Sequence, residues 1–169
     1  MATKRKMVFT NEDKELTADL QKLLEAKLKE SNAEAELFFN SDRTEILRQL
    51  RLTEPNVEVI LITGRNNRKT TQLFDDNEFV AYAKEAHENV KIITYSFDSK
   101  IEGSDGYIDR GFDENAKRAN AQQLYNKEPY AGISLSALHD IDLIPKMFDL
   151  LTAPASEIDE LITSFELVN

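Results

Sequence analysis

A cationic loop led by glycine follows the most apolar run of the sequence. Residues 57–64 are VEVILITG and residues 65–71 are RNNRKTT. A glycine-led loop that follows a strand and ends in Lys-Thr is typical of phosphate sites, where backbone N–H groups and the lysine bind the anion. Here Arg68 stands where that pattern has a glycine before Lys69, and the spacing is one residue short. The loop predicts, as one alternative, an anion, nucleotide or acidic-partner site formed by Arg65, Arg68, Lys69 and Thr70.

Metal and thiol chemistry has little support in the composition. The chain has no cysteine and two histidines, His87 and His139, so thiolate catalysis and cysteine-based zinc sites are excluded. Residues 139–142, HDID, place one imidazole beside two carboxylates, which is too few ligands to predict a metal site. His87 lies near the end of a predicted helix, where a cation is favoured by the helix dipole. We therefore predict no metal, no cofactor and no catalytic residue.

The net charge of −10 and pI near 4.8 bear on the choice of partner. Direct nucleic-acid binding normally requires a basic face, and an acidic chain repels phosphate backbones. Two interpretations of the acidity stay open. It keeps the protein in solution, or it docks the chain on a basic protein surface, at the extreme as an inhibitor that mimics nucleic acid.

Neither a membrane span nor a secretory signal is predicted. The longest apolar runs are far shorter than the roughly 20 residues that cross a bilayer. The basic start, residues 1–6, leads into three apolar residues, which is shorter than a signal peptide requires. We expect a cytoplasmic protein that makes no membrane contact.

Strands alternating with helices organise residues 1–127 into one predicted α/β domain. Short β-branched or aromatic runs indicate strands at 6–10, 35–40, 57–63, 90–96 and 106–108. Apolar residues at helical spacing lie between the earlier strands, a polar and flexible segment at 98–105 precedes the last one, and five helices are expected in this part of the chain. This alternation predicts a parallel sheet that is covered on both faces.

Residues 128–169 have a different character and are predicted to form a helical extension. Residues 133–135 are either an extra strand or an extended segment. An amphipathic helix then follows, begun or interrupted by Pro145, and Pro154 opens a last helix. These helices need an apolar surface, which is either the α/β domain itself or another chain.

A short motif near the predicted fifth strand points to a family. Residues 103–113 are GSDGYIDRGFD, and this stretch, with the five-fold βα order of residues 6–125, resembles a response-regulator receiver domain. Arg110 stands where the family has its lysine, and Gly111 where it has proline. The resemblance implies a flavodoxin-like fold, with a five-stranded parallel sheet and helices on both faces.

The same resemblance implies a phosphorylation pocket that lacks residues required for phosphorylation. The matching positions are Asn11 and Glu12 for the magnesium-binding acids, Thr94 or Ser96 for the phosphoryl-contacting hydroxyl, and Arg110 for the lysine. Receivers carry the phospho-acceptor aspartate at the end of the third strand, but here that strand ends in Thr63 and Gly64. Phosphoryl transfer needs a nucleophilic carboxylate, a divalent cation and a cationic side chain. We therefore expect a pseudo-receiver that is not an enzyme.

A receiver without phosphorylation chemistry is expected to act through contact with another protein in two-component signalling. In the family, the fourth helix, fifth strand and fifth helix form the signalling and dimer face. The corresponding segments here are 81–89, 106–108 and 115–124, and a homodimer through them is left open. Candidate contact residues are Tyr82, Glu85, Tyr107, Lys117 and Gln122.

Overall fold

Five short strands form one parallel sheet, as predicted. The computed structural model describes residues 5–66 and 73–167. The strands are β1 (Arg5–Thr10), β2 (Glu36–Phe39), β3 (Glu58–Thr63), β4 (Val90–Ser96) and β5 (Gly106–Asp109). They pair in the order β2-β1-β3-β4-β5, with every neighbouring pair parallel. This is a flavodoxin-like α/β fold, and β3 lies at its centre, where an apolar strand is buried on both faces.

Seven α-helices accompany the sheet in the described residues: α1 (Lys14–Glu30), α2 (Arg43–Leu52), α3 (Asp76–Ala86), α4 (Glu114–Leu124), α5 (Leu135–His139), α6 (Leu143–Thr152) and α7 (Ile158–Leu167). Aspartates begin the first three: Asp13, Asp42 and Asp75 accept hydrogen bonds from free backbone N–H groups of the first turn. His87 ends α3, and its Nε2 donates to the Val57 carbonyl at 2.7 Å. None of the described helices is long and apolar enough to cross a bilayer.

The expectation of five helices within residues 1–127 is wrong, because the described part of this segment contains four. The connection from β4 to β5 is a loop, residues 97–105, with no helix. Ile101 from this loop is buried in the core beside α3, and its backbone N–H donates to the Thr94 hydroxyl. A single buried isoleucine thus anchors the connection that the sequence predicts as a polar segment.

The two faces of the sheet carry separate apolar clusters. Helices α2 and α3 cover one face through Ile46, Leu50, Phe79, Val80 and Ala83. Helix α1 covers the other face together with α6 and α7, through residues that include Leu20, Leu24, Met147, Leu150, Ile162 and Phe165. The described part of the predicted C-terminal extension therefore packs in cis and shares a core with the sheet.

The C-terminal segment starts with turns and is then helical. Ile133 is not in a strand, and Ser134 caps α5 by accepting from the Ala137 N–H. Pro145 lies in the first turn of α6, where proline is tolerated because that turn has no intrahelical N–H partners. Pro154 precedes a short 3-10 helix, Ala155–Glu157, that leads into α7.

Arg5 fastens the end of α6 to the sheet. Its Nη1 donates to the carbonyls of Leu150 and Ala153 at 2.9 and 2.7 Å, and its Nε donates to Glu58 at 2.8 Å. The last carbonyls of a helix have no intrahelical partner, and a cation there is also favoured by the helix dipole. One side chain at the start of β1 therefore provides hydrogen bonds to the free carbonyl groups of a helix end about 145 residues later in the chain.

Helix α7 approaches β5 at a glycine. A Cβ atom at Gly106 would lie 2.3 Å from Cγ2 of Ile162, a side chain that is itself buried. Real Cβ atoms do not come this close to another carbon, so any larger residue at 106 has to push α7 away. Glycine at this position therefore sets how closely the last helix packs on the sheet.

We expect Gly106→Ala to lower the free energy of unfolding by about 1–3 kcal/mol, the usual cost of overpacking a core. Urea denaturation of wild type and variant measures it. Gly111→Ala is the matched control, since its nearest neighbours would be 3.4 Å away, and it should change stability by no more than about 0.5 kcal/mol. In an Ile162→Ala background the Gly106→Ala cost should shrink; an equal cost in both backgrounds would contradict the proposed contact.

Candidate functional site at the carboxyl edge of the sheet

Three buried threonines lie side by side beneath the carboxyl edge of the sheet. Thr10 is paired with Thr63, and Thr63 with Thr94, in the strand register. Their side chains alternate with the apolar residues that face α1, so they face α2 and α3. The Thr63 hydroxyl donates to the Gly64 carbonyl at 2.9 Å, and the Thr94 hydroxyl accepts from the Ile101 N–H at 3.0 Å. These hydroxyl groups are therefore engaged in internal contacts.

Asn11 and Glu12, the predicted remnants of a magnesium site, do not form one. The Asn11 Oδ1 accepts from the Asp13 N–H at 2.9 Å, and its amide nitrogen lies 3.0 Å from where a Cβ at Gly64 would be. Glu12 is exposed. Over the described ranges, no group of three or more carboxylate, histidine or cysteine side chains could hold a metal ion. Asn11 thus closes the turn before α1 and fills the space above the end of β3.

Arg110 is bound by a carboxylate from the C-terminal segment. Its Nη2 donates to Asp140 Oδ2 at 2.8 Å and its Nε donates to Oδ1 at 3.3 Å. The Tyr95 hydroxyl donates to the same Oδ1 at 2.6 Å. The Asp140 side chain is 0% exposed. A buried carboxylate is stable only when it is paired and hydrogen-bonded, and these three contacts meet that need.

Aromatic rings complete the surroundings of this arginine. The guanidinium lies 4.8 Å from the ring centroid of Phe97 and 5.7 Å from that of Tyr95. Burial by itself lowers the pKa of Arg110, but the charge and hydrogen bonds of Asp140, with Tyr95 and Asp13, more than offset it and raise that pKa. Burial, followed by the charge of Asp140, raises the pKa of Tyr95 well above its ordinary value of 10.0.

Lys117 links helix α4 to Arg110 and to Asp142. The Lys117 ammonium donates to the Arg110 carbonyl at 3.0 Å and lies 3.5 Å from Asp142 Oδ2. His139 lies between two carboxylates, with Nδ1 3.3 Å from Asp140 Oδ1 and Nε2 3.7 Å from Glu114 Oε1. The HDID motif therefore supplies contacts that join α4, α5 and α6, with Asp140 at their centre.

The structure does not gather the predicted pocket residues into one cavity. Thr63 and Thr94 lie on the α2–α3 face, whereas Arg110 contacts Tyr95 and Asp140 on the face covered by α1 and α6. Ser96, the alternative to Thr94, donates to the Ser99 carbonyl at 2.9 Å. Asp140 and Tyr95 were missed by sequence reasoning, because nothing local marks an aspartate as the partner of an arginine 30 residues earlier.

A second buried ion pair organises the loop after β3. Arg43, 2% exposed, donates to Asp76 Oδ1 at 2.8 Å and to the Gly64 carbonyl at 3.2 Å. Arg65 donates to the other carboxylate oxygen of Asp76 at 3.1 Å and also contacts the Ser99 hydroxyl. Arg65 is thus used within the chain. Arg68, Lys69 and Thr70, the other predicted anion-site residues, lie outside the described residues.

The five predicted partner-face residues fall on different surfaces. Tyr82 and Glu85 line a groove of about 420 Å³ between α2 and α3. The Tyr107 hydroxyl donates to the Ser96 carbonyl at 3.0 Å, and Lys117 is held in the Asp140 cluster. Gln122 is exposed on α4. Helix α4 packs against α5 and buries Ala121, whereas α3 covers the opposite face of the sheet.

Tyr95 should make the protein sensitive to alkaline pH. Because its folded-state pKa is raised, the folded form keeps a proton that the unfolded form releases above about pH 10, so this contribution to stability is complete below pH 10 and lost above it. We expect the free energy of unfolding to fall more steeply above about pH 10 in wild type than in Tyr95→Phe, by up to about 1.4 kcal/mol per pH unit. Denaturant titrations at each pH measure it.

Tyr125→Phe is the control for that titration, since Tyr125 is 46% exposed. It should keep the wild-type slope. Equal slopes for wild type and Tyr95→Phe would contradict the burial of a Tyr95–Asp140 hydrogen bond.

Arg43→Met should be strongly destabilising because it leaves the Asp76 carboxylate buried without its shortest side-chain contact. The expected loss is about 3–5 kcal/mol of unfolding free energy, measured by thermal or urea denaturation. Arg48→Met, on the same helix but paired at the surface with Glu45, should cost about 0.5 kcal/mol or less. A similar small loss for both variants would show that the Arg43 pair does not support the loop.

Comparison with known proteins adds no family to this description. No protein-family model matches the chain, and no curated protein gives a significant match to it. The strand order identifies the chain as a flavodoxin-like α/β protein.

Proposed function

We propose that this protein is a phosphorylation-independent pseudo-receiver, a regulatory module of signalling that acts through contact with another protein. The observation that carries the proposal is the set of side chains found at the carboxyl edge of the sheet. The strand order is the receiver type, β3 ends in Thr63 and Gly64 without a carboxylate, and Arg110 is paired with Asp140.

No requirement of phosphoryl transfer is fully met by the described residues at the carboxyl edge of the sheet. A hydroxyl at Thr63 that donates to the Gly64 carbonyl has no adjacent base and is a poor nucleophile. Glu12 and Asn11 offer one carboxylate for a cation that ordinarily needs more oxygen ligands. Arg110 carries the positive charge, but a bidentate contact with Asp140 occupies it. These contacts support the proposal of a receiver-type scaffold without switch chemistry.

A second candidate is the acidic inhibitor that docks on a basic protein site. The groove between α6 and α7, of about 420 Å³, is lined by Asp149, Glu157 and Glu160 around Leu161, and among the residues that the structure describes no lysine or arginine lines it. An acidic rim around apolar residues favours a cationic partner. Affinity for such a partner should fall as salt rises; salt-independent binding would count against this candidate.

The pseudo-receiver proposal predicts that phosphoryl donors have no effect. Incubation with acetyl phosphate, or with beryllofluoride and Mg²⁺, should add no phosphoryl mass and should leave the melting temperature unchanged, because no carboxylate is available as the acceptor. A phosphorylatable receiver treated in parallel is the positive control. Modification or stabilisation of wild type that is lost in Glu12→Ala would overturn the proposal.

Binding to a partner should likewise be independent of these donors. A protein captured from the host with the full chain, and then purified, should bind with the same dissociation constant before and after acetyl phosphate treatment. A partner that binds only after this treatment would contradict phosphorylation-independent action.

A further inference from the structure

An apolar groove between α2 and α3 is open to solvent on the face opposite α6 and α7. Its floor contains Leu47, Phe74 and Ala86. Tyr82, 42% exposed, packs edge-on against Phe74 with ring centroids 5.3 Å apart. Leu73, next to Phe74, is 75% exposed. Exposed aromatic and aliphatic side chains grouped in this way are typical of a protein-contact surface.

The two sides of this groove carry opposite charges. Arg51 lies on the α2 side and Glu85 on the α3 side, and both are exposed. Within the part of the chain that the structure describes, neither side chain forms a salt bridge. A partner whose contact surface is only positive or only negative would meet a like charge at either Arg51 or Glu85. The pattern therefore favours a partner that carries the opposite arrangement, negative on one side and positive on the other.

A second copy of this chain has that arrangement. Helices α2 and α3 both connect parallel strands on one face of the sheet, so they run in the same direction. A two-fold axis along the groove, parallel to both helices, places α2 of one copy against α3 of the other. Each Arg51 then lies opposite Glu85 of the other copy, and this contact occurs twice. A two-fold axis across the helices would instead place α2 against α2 and lose the charge pairing.

We propose that the α2–α3 groove is a self-association surface through which two copies of this chain form a two-fold symmetric dimer. The helices are about 15 Å long and about 10 Å apart. That face is smaller than the roughly 800 Å² per partner of a standard interface, so the association is weak. The dimer contact does not depend on the pseudo-receiver proposal, because it uses the opposite face of the sheet from Arg110 and Asp140.

Charge exchange tests this arrangement with the full-length protein. Sedimentation equilibrium should show wild type in reversible monomer–dimer exchange, with a dissociation constant in the micromolar range. Arg51→Glu should weaken dimerisation about tenfold or more, because both symmetry-related contacts change from attraction to repulsion. Glu85→Arg should weaken it equally. An equimolar mixture of the two variants should recover wild-type affinity, since every contact in the heterodimer again joins opposite charges.

The two variants separate local pairing from net charge. Arg51→Glu makes the chain more acidic, whereas Glu85→Arg makes it less acidic, so an effect of overall repulsion would move their affinities in opposite directions. Arg118→Glu, on the exposed face of α4, has the same charge change as Arg51→Glu and should keep wild-type dimerisation. Circular dichroism melting of all variants shows whether they remain folded.

Three results would overturn the proposal. These are a wild type that stays monomeric up to millimolar concentration, a dimer that both charge variants leave unchanged, and a variant mixture that does not recover affinity. A monomeric wild type that binds another protein through Tyr82 is a case of the first result. None of these results affects the phosphoryl-donor measurements, so failure of the dimer and failure of the pseudo-receiver proposal are distinguishable.

Discussion

The buried carboxylate of Asp140 is the constraint on which the C-terminal part of the molecule depends. A fully buried negative charge is costly unless it is paired and hydrogen-bonded, and Asp140 is satisfied by Arg110 and Tyr95 together. These partners come from the end of β5 and from β4, so the charge fixes where α5 and α6 meet the sheet. At the other end of α6, Arg5 binds the last helical carbonyls. Polar contacts at both ends thus position the helix that covers the apolar face.

The same pairing decides what the carboxyl edge of the sheet can do. In open α/β sheets this edge is the usual place for a binding site. Here Asn11 closes the turn above Gly64, and Arg110 is held by an internal carboxylate. A side chain that would otherwise meet an incoming anion has become part of the core. In the loop after β3, charged side chains likewise bind one another within the chain, because Asp76 binds both Arg43 and Arg65. Charged groups at this edge stabilise structure, which is why we place function on the surfaces.

Much of the fold could be predicted from residues alone, and particular elements show why. Strands β3 and β4 are β-branched apolar runs, and Asp13 and Asp75 stand where helix starts need a side-chain acceptor. The connection between β4 and β5 was predicted as the polar segment 98–105 and is a loop, but nothing local marks Ile101 as its buried anchor. The candidate site was predicted least well: alternation along β3 and β4 sends Thr63 and Thr94 to the α2–α3 face, whereas Arg110, which follows β5, binds Asp140 on the other face.

The sequence by itself determined the strand and helix periodicity, the absence of cysteine and the absence of a carboxylate at the end of β3. These features are local, since each depends on residue type and short-range spacing. The tertiary structure alone decided that Arg110 binds Asp140, that Arg5 ends α6 and that Gly106 admits Ile162. Those contacts join residues far apart in the chain. They depend on how α6 and α7 dock against the sheet, which is set by packing and by the cost of unpaired buried charge.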